Sequence, residues 1–250
     1  MRQWWALSMR VMASIARNGE FVTALLSPVL LAVCFYLPMR SMMNQAPGMD
    51  YAAFLMPIIT LQSVAFAASA AAIRVAMDRV NRINIRFRSL PMPLLLPASA
   101  RLAANAALLI VSLACAVVVS VVIGWRPGAG ISGTVGLLAL AFGVGIGLVL
   151  LADGIGLLAG SPAATSQVLA LPVLVLGMLS SGFMPAERFP QWIAPFVRHQ
   201  PISRFAEAMR AFNDGTATAA VIAPAVWWCA GLLVLGAALV VAGTTKGADS

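Results

Sequence analysis

Long runs of apolar residues dominate the chain and alternate with shorter polar stretches. Six runs are each about 20 residues long, and a helix of that length, at about 1.5 Å per residue, crosses the hydrocarbon core of a bilayer. The pattern predicts an all-α integral membrane protein with six transmembrane helices in a single domain over residues 1–250. The predicted spans lie at about 21–39, 52–73, 102–123, 133–158, 164–183 and 219–242.

The first twenty residues have a different pattern, in which arginines are interleaved with apolar side chains. Arg2, Arg10 and Arg17 alternate with tryptophans and aliphatic residues. This arrangement predicts an amphipathic helix over 1–20 that lies in the membrane interface. A cleavable signal peptide is not expected, because Arg10 and Arg17 interrupt the continuous apolar core that such a peptide requires.

The segment after Gly182 is too polar to cross a membrane. It mixes charged residues, prolines and aromatics as far as Arg210. Since a spanning helix could not sustain that mixture, the sequence predicts an interfacial or re-entrant segment on the extracellular side, before the last span.

Positive charge is concentrated between the second and third apolar runs. The cluster comprises Arg74, Arg79, Arg82, Arg86, Arg88 and Arg101. Because basic residues in short loops are retained on the cytoplasmic side, the cluster predicts a cytoplasmic loop. With six spans, both termini are then expected in the cytoplasm and the protein in the plasma membrane.

Composition excludes a soluble domain and changes the interpretation of the charge. The chain is 61% hydrophobic and 10% charged, with a mean hydropathy of +0.94. The formal net charge of +8 therefore indicates topology and attraction to membrane lipids rather than binding of nucleic acid. The three cysteines lie inside apolar runs without paired or metal-like spacing, so neither a disulfide framework nor a metal site is expected.

Catalytic groups are scarce. The chain has one histidine, His199, and eight acidic residues, and it contains neither a nucleophile elbow nor a zinc-binding helix motif. It also lacks the P-loop motif for ATP. The sequence therefore predicts no catalytic residue and no cofactor in this chain, and a membrane-bound enzyme is the least favoured class.

Several short motifs carry a family resemblance. They are Arg-Phe-Arg-Ser-Leu-Pro-Met at 86–92, Ser-Gly-Phe-Met-Pro at 181–185, Phe-Pro-Gln-Trp-Ile at 189–193, Pro201, and Ala-Met-Arg at 208–210. Together they resemble the permease subunits of type-2 ABC exporters, particularly the daunorubicin-resistance branch. The resemblance covers most of the chain.

The resemblance implies a pair of six-span permease subunits, the same chain or a paralogue, served by two copies of a separate ABC ATPase that binds ATP and Mg²⁺. Each permease would dock its ATPase through the amphipathic elbow helix, about 3–18, and the loop at 77–99. The coupling candidates are Arg79, Arg82, Arg86, Phe87, Arg88 and Leu90. The alternative is a solvated loop whose arginines only enforce topology and contact lipid phosphates.

Seven residues are candidates for the translocation path or a gate: Asp153, Phe183, Met184, Glu187, Trp192, Glu207 and Arg210. An ionised carboxylate costs about 2.5–3.5 kcal/mol at mid-bilayer, so Asp153 is expected to face protein or water. Alternatively, Asp153 pairs locally near the end of its span. The other charged candidates would then form ion pairs between interfacial helices, and the apolar ones would face lipid or the core.

The fourth predicted span is rich in glycine. Gly143, Gly147, Gly154, Gly156 and Gly160 follow a small-residue spacing. This spacing predicts the close approach of another helix rather than substrate binding.

The function that these features favour is that of a permease subunit of an ATP-driven exporter for an amphipathic drug-like or lipid-like compound. A six-span carrier or scaffold that needs no ATPase is the alternative, with Asp153 as its candidate proton site. The expected partners are the ATPase, a second permease and membrane lipids, and no nucleic acid.

Overall fold

A computed structural model describes residues 2–38, 40, 50–81, 83, 93, 95–159, 161–183 and 189–246. The regular secondary structure of these residues consists of helices. They are α1 (Arg2–Arg17), α2 (Glu20–Leu31), α3 (Tyr51–Val80), α4 (Leu96–Val122), α5 (Gly130–Leu158), α6 (Pro162–Met178), α7 (Ala194–His199), α8 (Pro201–Asp214) and α9 (Ala219–Lys246). A π-helical turn, Ala32–Tyr36, continues α2.

Four of these helices, α3, α4, α5 and α9, are long and apolar enough to cross a membrane. The two halves Gln3–Arg17 and Glu20–Tyr36 meet the same requirement only as a bent pair, with 57° between them, which gives a fifth candidate. The remaining apolar helix, α6, has 17 residues. The described residues thus confirm a helical membrane protein with four or five candidate spans, where the apolar runs predict six.

Local sequence signals set several helix ends. The carboxylate of Asp50 accepts a hydrogen bond from the backbone N–H of Ala52 at 3.0 Å and begins α3. The hydroxyl of Ser161 accepts one from the N–H of Ala164 at 3.2 Å and begins α6, as N-cap residues do. Between α1 and α2, Gly19 has a φ of 70°. Only glycine adopts this conformation without strain, so it permits the bend at this junction.

Helix α3 continues well past the apolar run that predicted it. Its 30 residues correspond to about 45 Å, whereas the hydrocarbon core is about 30 Å thick. Arg74 and Arg79 therefore lie on α3, and Arg101 lies near the start of α4. The prediction that these three arginines occupy a loop was wrong. Arginine is a good helix former, and the bundle supplies an acidic partner for the charge of Arg74.

Helix α3 lies at the centre of the bundle. Of its apolar window, 72% is buried, compared with 17% for α9. It contacts α2, α4, α5, α6 and α8. Helix α1 instead packs mainly on α4, and α8 and α9 pack mainly on α5.

Helices α5 and α9 approach each other through glycines on both sides. A Cβ atom on Gly236 of α9 would lie 2.7 Å from Leu150 Cβ, and one on Gly154 of α5 would overlap Leu239. Gly147 and Gly143 also face α9. These contacts confirm the close approach that the glycine spacing predicted. Gly156 faces α3 instead, and Gly160 lies outside the described residues.

We expect Gly236→Ala to separate α5 from α9 and to lower stability by about 1–3 kcal/mol, as overpacking does. Gly231→Ala, on the same helix, is the matched control, because a Cβ there meets nothing within 4 Å. The measurement is the thermal unfolding midpoint of the purified protein in mild detergent. Equal midpoints for the two variants would contradict the packing described here.

Candidate functional site

Charged side chains from five helices meet at one end of the bundle. We call this the basic end, where the α1–α2 junction, the last turns of α3 and α5 and the first turns of α4 come together. Seven residues form the basic-end network: Arg10, Glu20, Arg74, Asp78, Arg101, Asn105 and Asp153. Its three arginines are matched by three carboxylates, so the ionised network carries no net charge.

The pair Glu20–Arg74 joins α2 to α3. Arg74 Nε donates to Glu20 Oε1 at 2.9 Å, and Arg74 Nη2 donates to Glu20 Oε2. The third nitrogen, Nη1, donates to Asn105 Oδ1 at 3.0 Å, which adds α4 to the same contact. Both charged residues are buried. The planar guanidinium suits such a bidentate pair, so the orientation of all three helices is fixed at this point.

The pair Arg101–Asp153 joins α4 to α5. Arg101 Nε donates to Asp153 Oδ2 at 3.3 Å, and the two residues are 5% and 2% exposed. Three atoms around this pair have no partner among the described residues: Arg101 Nη2, Asn105 Nδ2 and Asp153 Oδ1. Asp153 therefore faces protein, as its position in an apolar run requires, and it is bonded much less fully than Glu20.

Two further contacts complete the basic end. Arg10 of α1 pairs with Asp78 of α3 at 3.4 Å, and this pair is partly exposed. Arg79 Nη1 donates to the backbone carbonyls of Leu157 at 2.7 Å and Ala159 at 2.8 Å. A cation at the C-terminus of a helix satisfies carbonyls that have no partner within the helix and complements the helix dipole. Arg79, a coupling candidate, thus ties the end of α3 to the end of α5.

A different site lies at the far end of α3, around Arg210 of α8. Its Nη2 donates to the carbonyls of Phe54 at 3.1 Å, Ser181 at 3.0 Å and Gly182 at 3.0 Å. The guanidinium carbon also lies 3.7 Å from the centre of the Phe54 ring. Phe54 lies in the first turn of α3, so Arg210 contacts the start of that helix.

Burial lowers the pKa of the Arg210 guanidinium to about 10, and the carboxylates of Asp214 and Glu207 act in the opposite direction. The side chain therefore remains charged at neutral pH. A half-buried cation stacked on an aromatic ring and bonded to three carbonyls holds α8 against the ends of α3 and α6.

Other contacts reinforce the position of α8. Gln200 Nε2 donates to Leu176 O at 3.0 Å, and Ser203 Oγ accepts from the N–H of Ser181 at 2.9 Å. Trp125 Nε1 donates to Asn213 Oδ1 at 2.9 Å. These contacts bind the polar segment before the last helix to the ends of α4 and α6.

The structure brings only some of the gate candidates together. Phe183 packs on Phe35 with 4.3 Å between ring centres and follows Gly182, whose carbonyl binds Arg210. Trp192 is 81% exposed, and Glu207 pairs with Arg204 of its own helix at 3.0 Å.

The remaining predicted site residues divide into two groups. Asp153 belongs to the basic end, about 30 Å from the Arg210 site, since some 20 residues of α5 separate it from the turn beside α8. The others, Arg82, Arg86, Phe87, Arg88, Leu90, Met184 and Glu187, lie outside the described residues.

Three residues of the basic-end network were not predicted as site residues from the sequence. They are Glu20, Asn105 and Arg74, which was predicted in a loop rather than buried. Glu20 and Arg74 are 54 positions apart, so no local pattern connects them. The available signal was that Glu20 is an isolated acid at the start of an apolar run, a position that needs a cationic partner once it is buried.

The sequence profile of the ABC-2 type transporter family matches residues 2–212. The chain therefore belongs to the ABC-2 type transporter family and is a multi-pass membrane permease of an ABC transporter. The family implies an ABC ATPase as partner.

Individual relatives are similar over most of the chain. It is 37% identical over 247 residues to the doxorubicin resistance ABC transporter permease protein DrrB of Mycobacterium tuberculosis (strain CDC 1551 / Oshkosh), covering 94% of this chain and 86% of the relative. It is 27% identical over 206 residues to the daunorubicin resistance ABC transporter permease protein DrrB1 of Streptomyces coeruleorubidus, covering 79% and 71%.

We expect Arg74→Gln to lower stability by about 3–5 kcal/mol, because it leaves the buried carboxylate of Glu20 unpaired. The double variant Glu20→Gln/Arg74→Gln should recover at least half of that loss, since no charge is then left unpaired. Arg204→Gln, which breaks the more exposed pair with Glu207, should cost at most about 1 kcal/mol. Thermal unfolding in detergent measures all three. A double variant as unstable as the single one would argue against a buried ion pair.

We expect Arg210→Lys to destabilise the protein by about 1–3 kcal/mol, because an ammonium group cannot reproduce the joint contact of Nε and Nη2 with the Phe54 carbonyl or the stacking of the planar guanidinium on the Phe54 ring. Arg204→Lys, on the same helix and more exposed, serves as the control and should be close to neutral. The measurement is again the unfolding midpoint. If lysine at 210 were tolerated as well as lysine at 204, the clamp around Phe54 would not contribute to stability.

Proposed function

We propose that this permease exports amphipathic drug-like or lipid-like compounds across the plasma membrane. It would act as a single six-span transmembrane domain, paired with a second permease subunit, either the same chain or a paralogue, and with two copies of an ABC ATPase. Membership of the ABC-2 type transporter family supports the ATPase partner. The names of the relatives, which refer to doxorubicin and daunorubicin resistance, support a drug-like cargo.

The observation that carries this proposal is the basic-end network. Helix α1, the proposed elbow, is bound to α3 through Arg10 and Asp78. From α3, bonds continue to α2 and α4 through Arg74, and to the end of α5 through Arg79. A force applied to α1 and the Arg cluster by ATP-driven closure of the ATPases would therefore reach the spanning helices directly.

Six spans require that α2 and α6 also cross the membrane. The stretch Glu20–Tyr36 and α6 each have 17 residues, about 26 Å of helix, slightly less than the hydrocarbon core. Both helices expose apolar residues, including Leu26 and Leu30 on α2 and Leu171 and Val175 on α6. Such faces suit lipid or a second permease. In this topology the basic end and both termini face the cytoplasm, and α7–α8 form an extracellular re-entrant segment.

The coupling role is tested by reversing charge in the Arg cluster. In vesicles that contain the permease and its ATPase, we expect Arg86→Glu/Arg88→Glu to reduce ATP-dependent doxorubicin uptake at least tenfold, because the basic surface that meets the ATPase is lost. Arg126→Glu, in the turn between α4 and α5, is the matched control and should leave uptake within twofold.

The wild-type complex sets the reference for that experiment. Inside-out vesicles should accumulate doxorubicin only when ATP and a hydrolysis-competent ATPase are both present. Uptake by the permease alone would refute the proposal and favour an ATPase-independent carrier. Cysteine labelling of the two termini adds a topology check, since termini on opposite faces would exclude six spans.

A further inference from the structure

The two buried arginines of the basic end are bonded unequally. All three of the Arg74 nitrogens Nε, Nη1 and Nη2 donate to acceptors on α2 and α4. Within the described ranges, Arg101 makes one long side-chain bond, from Nε to Asp153 Oδ2 at 3.3 Å. The environment of the two side chains is similar, because each residue is 5% exposed. Burial alone therefore does not explain the difference.

The unused hydrogen-bonding atoms around Arg101 complement one another. Arg101 Nη2 and Asn105 Nδ2 are donors, Asp153 Oδ1 is an acceptor, and none of the three has a partner among the described residues. Arg101 and Asn105 are one turn apart on the same face of α4. Helix α4 thus carries two donors, and α5 one acceptor, that lack a partner within the described part of the chain, and Arg101 already joins the two helices.

There is also space beside Arg101. A small cleft adjoins its side chain between α1, α3 and α4, and it is lined by Leu7, Arg10, Val11, Asp78, Pro97 and Arg101. Glu20–Arg74 lies outside this lining. The network therefore contains two kinds of ion pair. The fully bonded pair Glu20–Arg74 joins α2, α3 and α4. The incompletely bonded pair Arg101–Asp153 joins α4 to α5, and its arginine lines the cleft.

We propose that Arg101, Asn105 and Asp153 re-pair during the transport cycle. In the second arrangement Asp153 Oδ1 accepts hydrogen bonds from Arg101 Nη2 and Asn105 Nδ2, after a shift of α4 along α5 of the size that packed helices make, about 1–2 Å. Arg101 and Asn105 are then positioning residues that define the other state of the bundle. This inference rests on the proposed function as an ATP-driven exporter.

A change of hydrogen-bond partners can transmit a conformational change from one part of the helix bundle to another. An element that carries a signal must have two arrangements of comparable free energy, so that an event at one place selects between them. A fully bonded pair such as Glu20–Arg74 offers only one. The partly bonded triad offers a second set of partners without breaking the charge balance of the network.

Two conservative variants test the proposal. Asn105→Asp keeps the oxygen that accepts from Arg74 but replaces the unused donor with an oxygen that repels Asp153. Arg101→Lys keeps the positive charge beside Asp153 but replaces the guanidinium, so that both Nε and Nη2 are lost and one ammonium group takes their place. Asn105→Asp leaves each bond of the arrangement seen here in place, and Arg101→Lys retains the cation that balances Asp153, so both variants should still assemble with the ATPase.

The measurements are the yield of permease–ATPase complex, the rate of ATP hydrolysis, and doxorubicin uptake in vesicles. We expect uptake per ATP hydrolysed to fall at least tenfold in both variants, with complex yield within twofold of the wild type. The control Arg126→Lys should change neither quantity. A merely structural role would reduce uptake only in proportion to complex yield, and that result would overturn the proposal.

A structure of the ATP-bound complex, with an ATPase that cannot hydrolyse ATP, provides the direct test. The expected result is that Asp153 Oδ1 contacts Asn105 Nδ2. An unchanged single bond to Arg101, or water bridging the same atoms in both states, would refute re-pairing. Failure of the wild-type complex to export would instead refute the proposed function, so the two failures are distinguishable.

Discussion

A charge buried between apolar helices needs a partner of opposite sign, and the arrangement of this bundle follows from that constraint. Arg74 lies on the central helix, where only 5% of its surface is exposed. It forms an ion pair with Glu20 at the start of α2 and donates a hydrogen bond to Asn105 on α4. Because the pair is bidentate, small rotations of any of these helices would weaken it. The same requirement places Asp153 of α5 against Arg101 of α4.

The two ends of the bundle are held by different chemistry. At the basic end, carboxylates and guanidiniums pair across helices. At the far end, one guanidinium binds backbone carbonyls at the start of α3 and just after α6. Between them, glycines let α5 and α9 pack closely. Charge thus orders the basic end, while the middle of the bundle depends on shape.

The sequence was sufficient for features that depend on nearby residues. Apolar runs located α3, α4, α5 and α9, because length and hydropathy are local properties. Glycine spacing indicated that another helix approaches α5 closely, and the structure identifies that helix as α9. The end of α3 was misjudged, since its continuation past residue 73 depends on Glu20, which is distant in the chain. Arg210 was a gate candidate, but its partners are backbone carbonyls, which no side-chain pattern reveals.

The position of Glu20 also bears on how the protein enters the membrane. Glu20 and Arg74 belong to successive apolar helices, so a nascent hairpin of α2 and α3 can leave the insertion machinery with its two charges already neutralised by each other. The partner of Arg101, Asp153, is synthesised 52 residues later. The place of Arg101 near the start of α4 lets the guanidinium remain at the lipid headgroups until α5 arrives. Biogenesis would then proceed in two steps, first a self-neutralised hairpin and then the joining of α4 to α5.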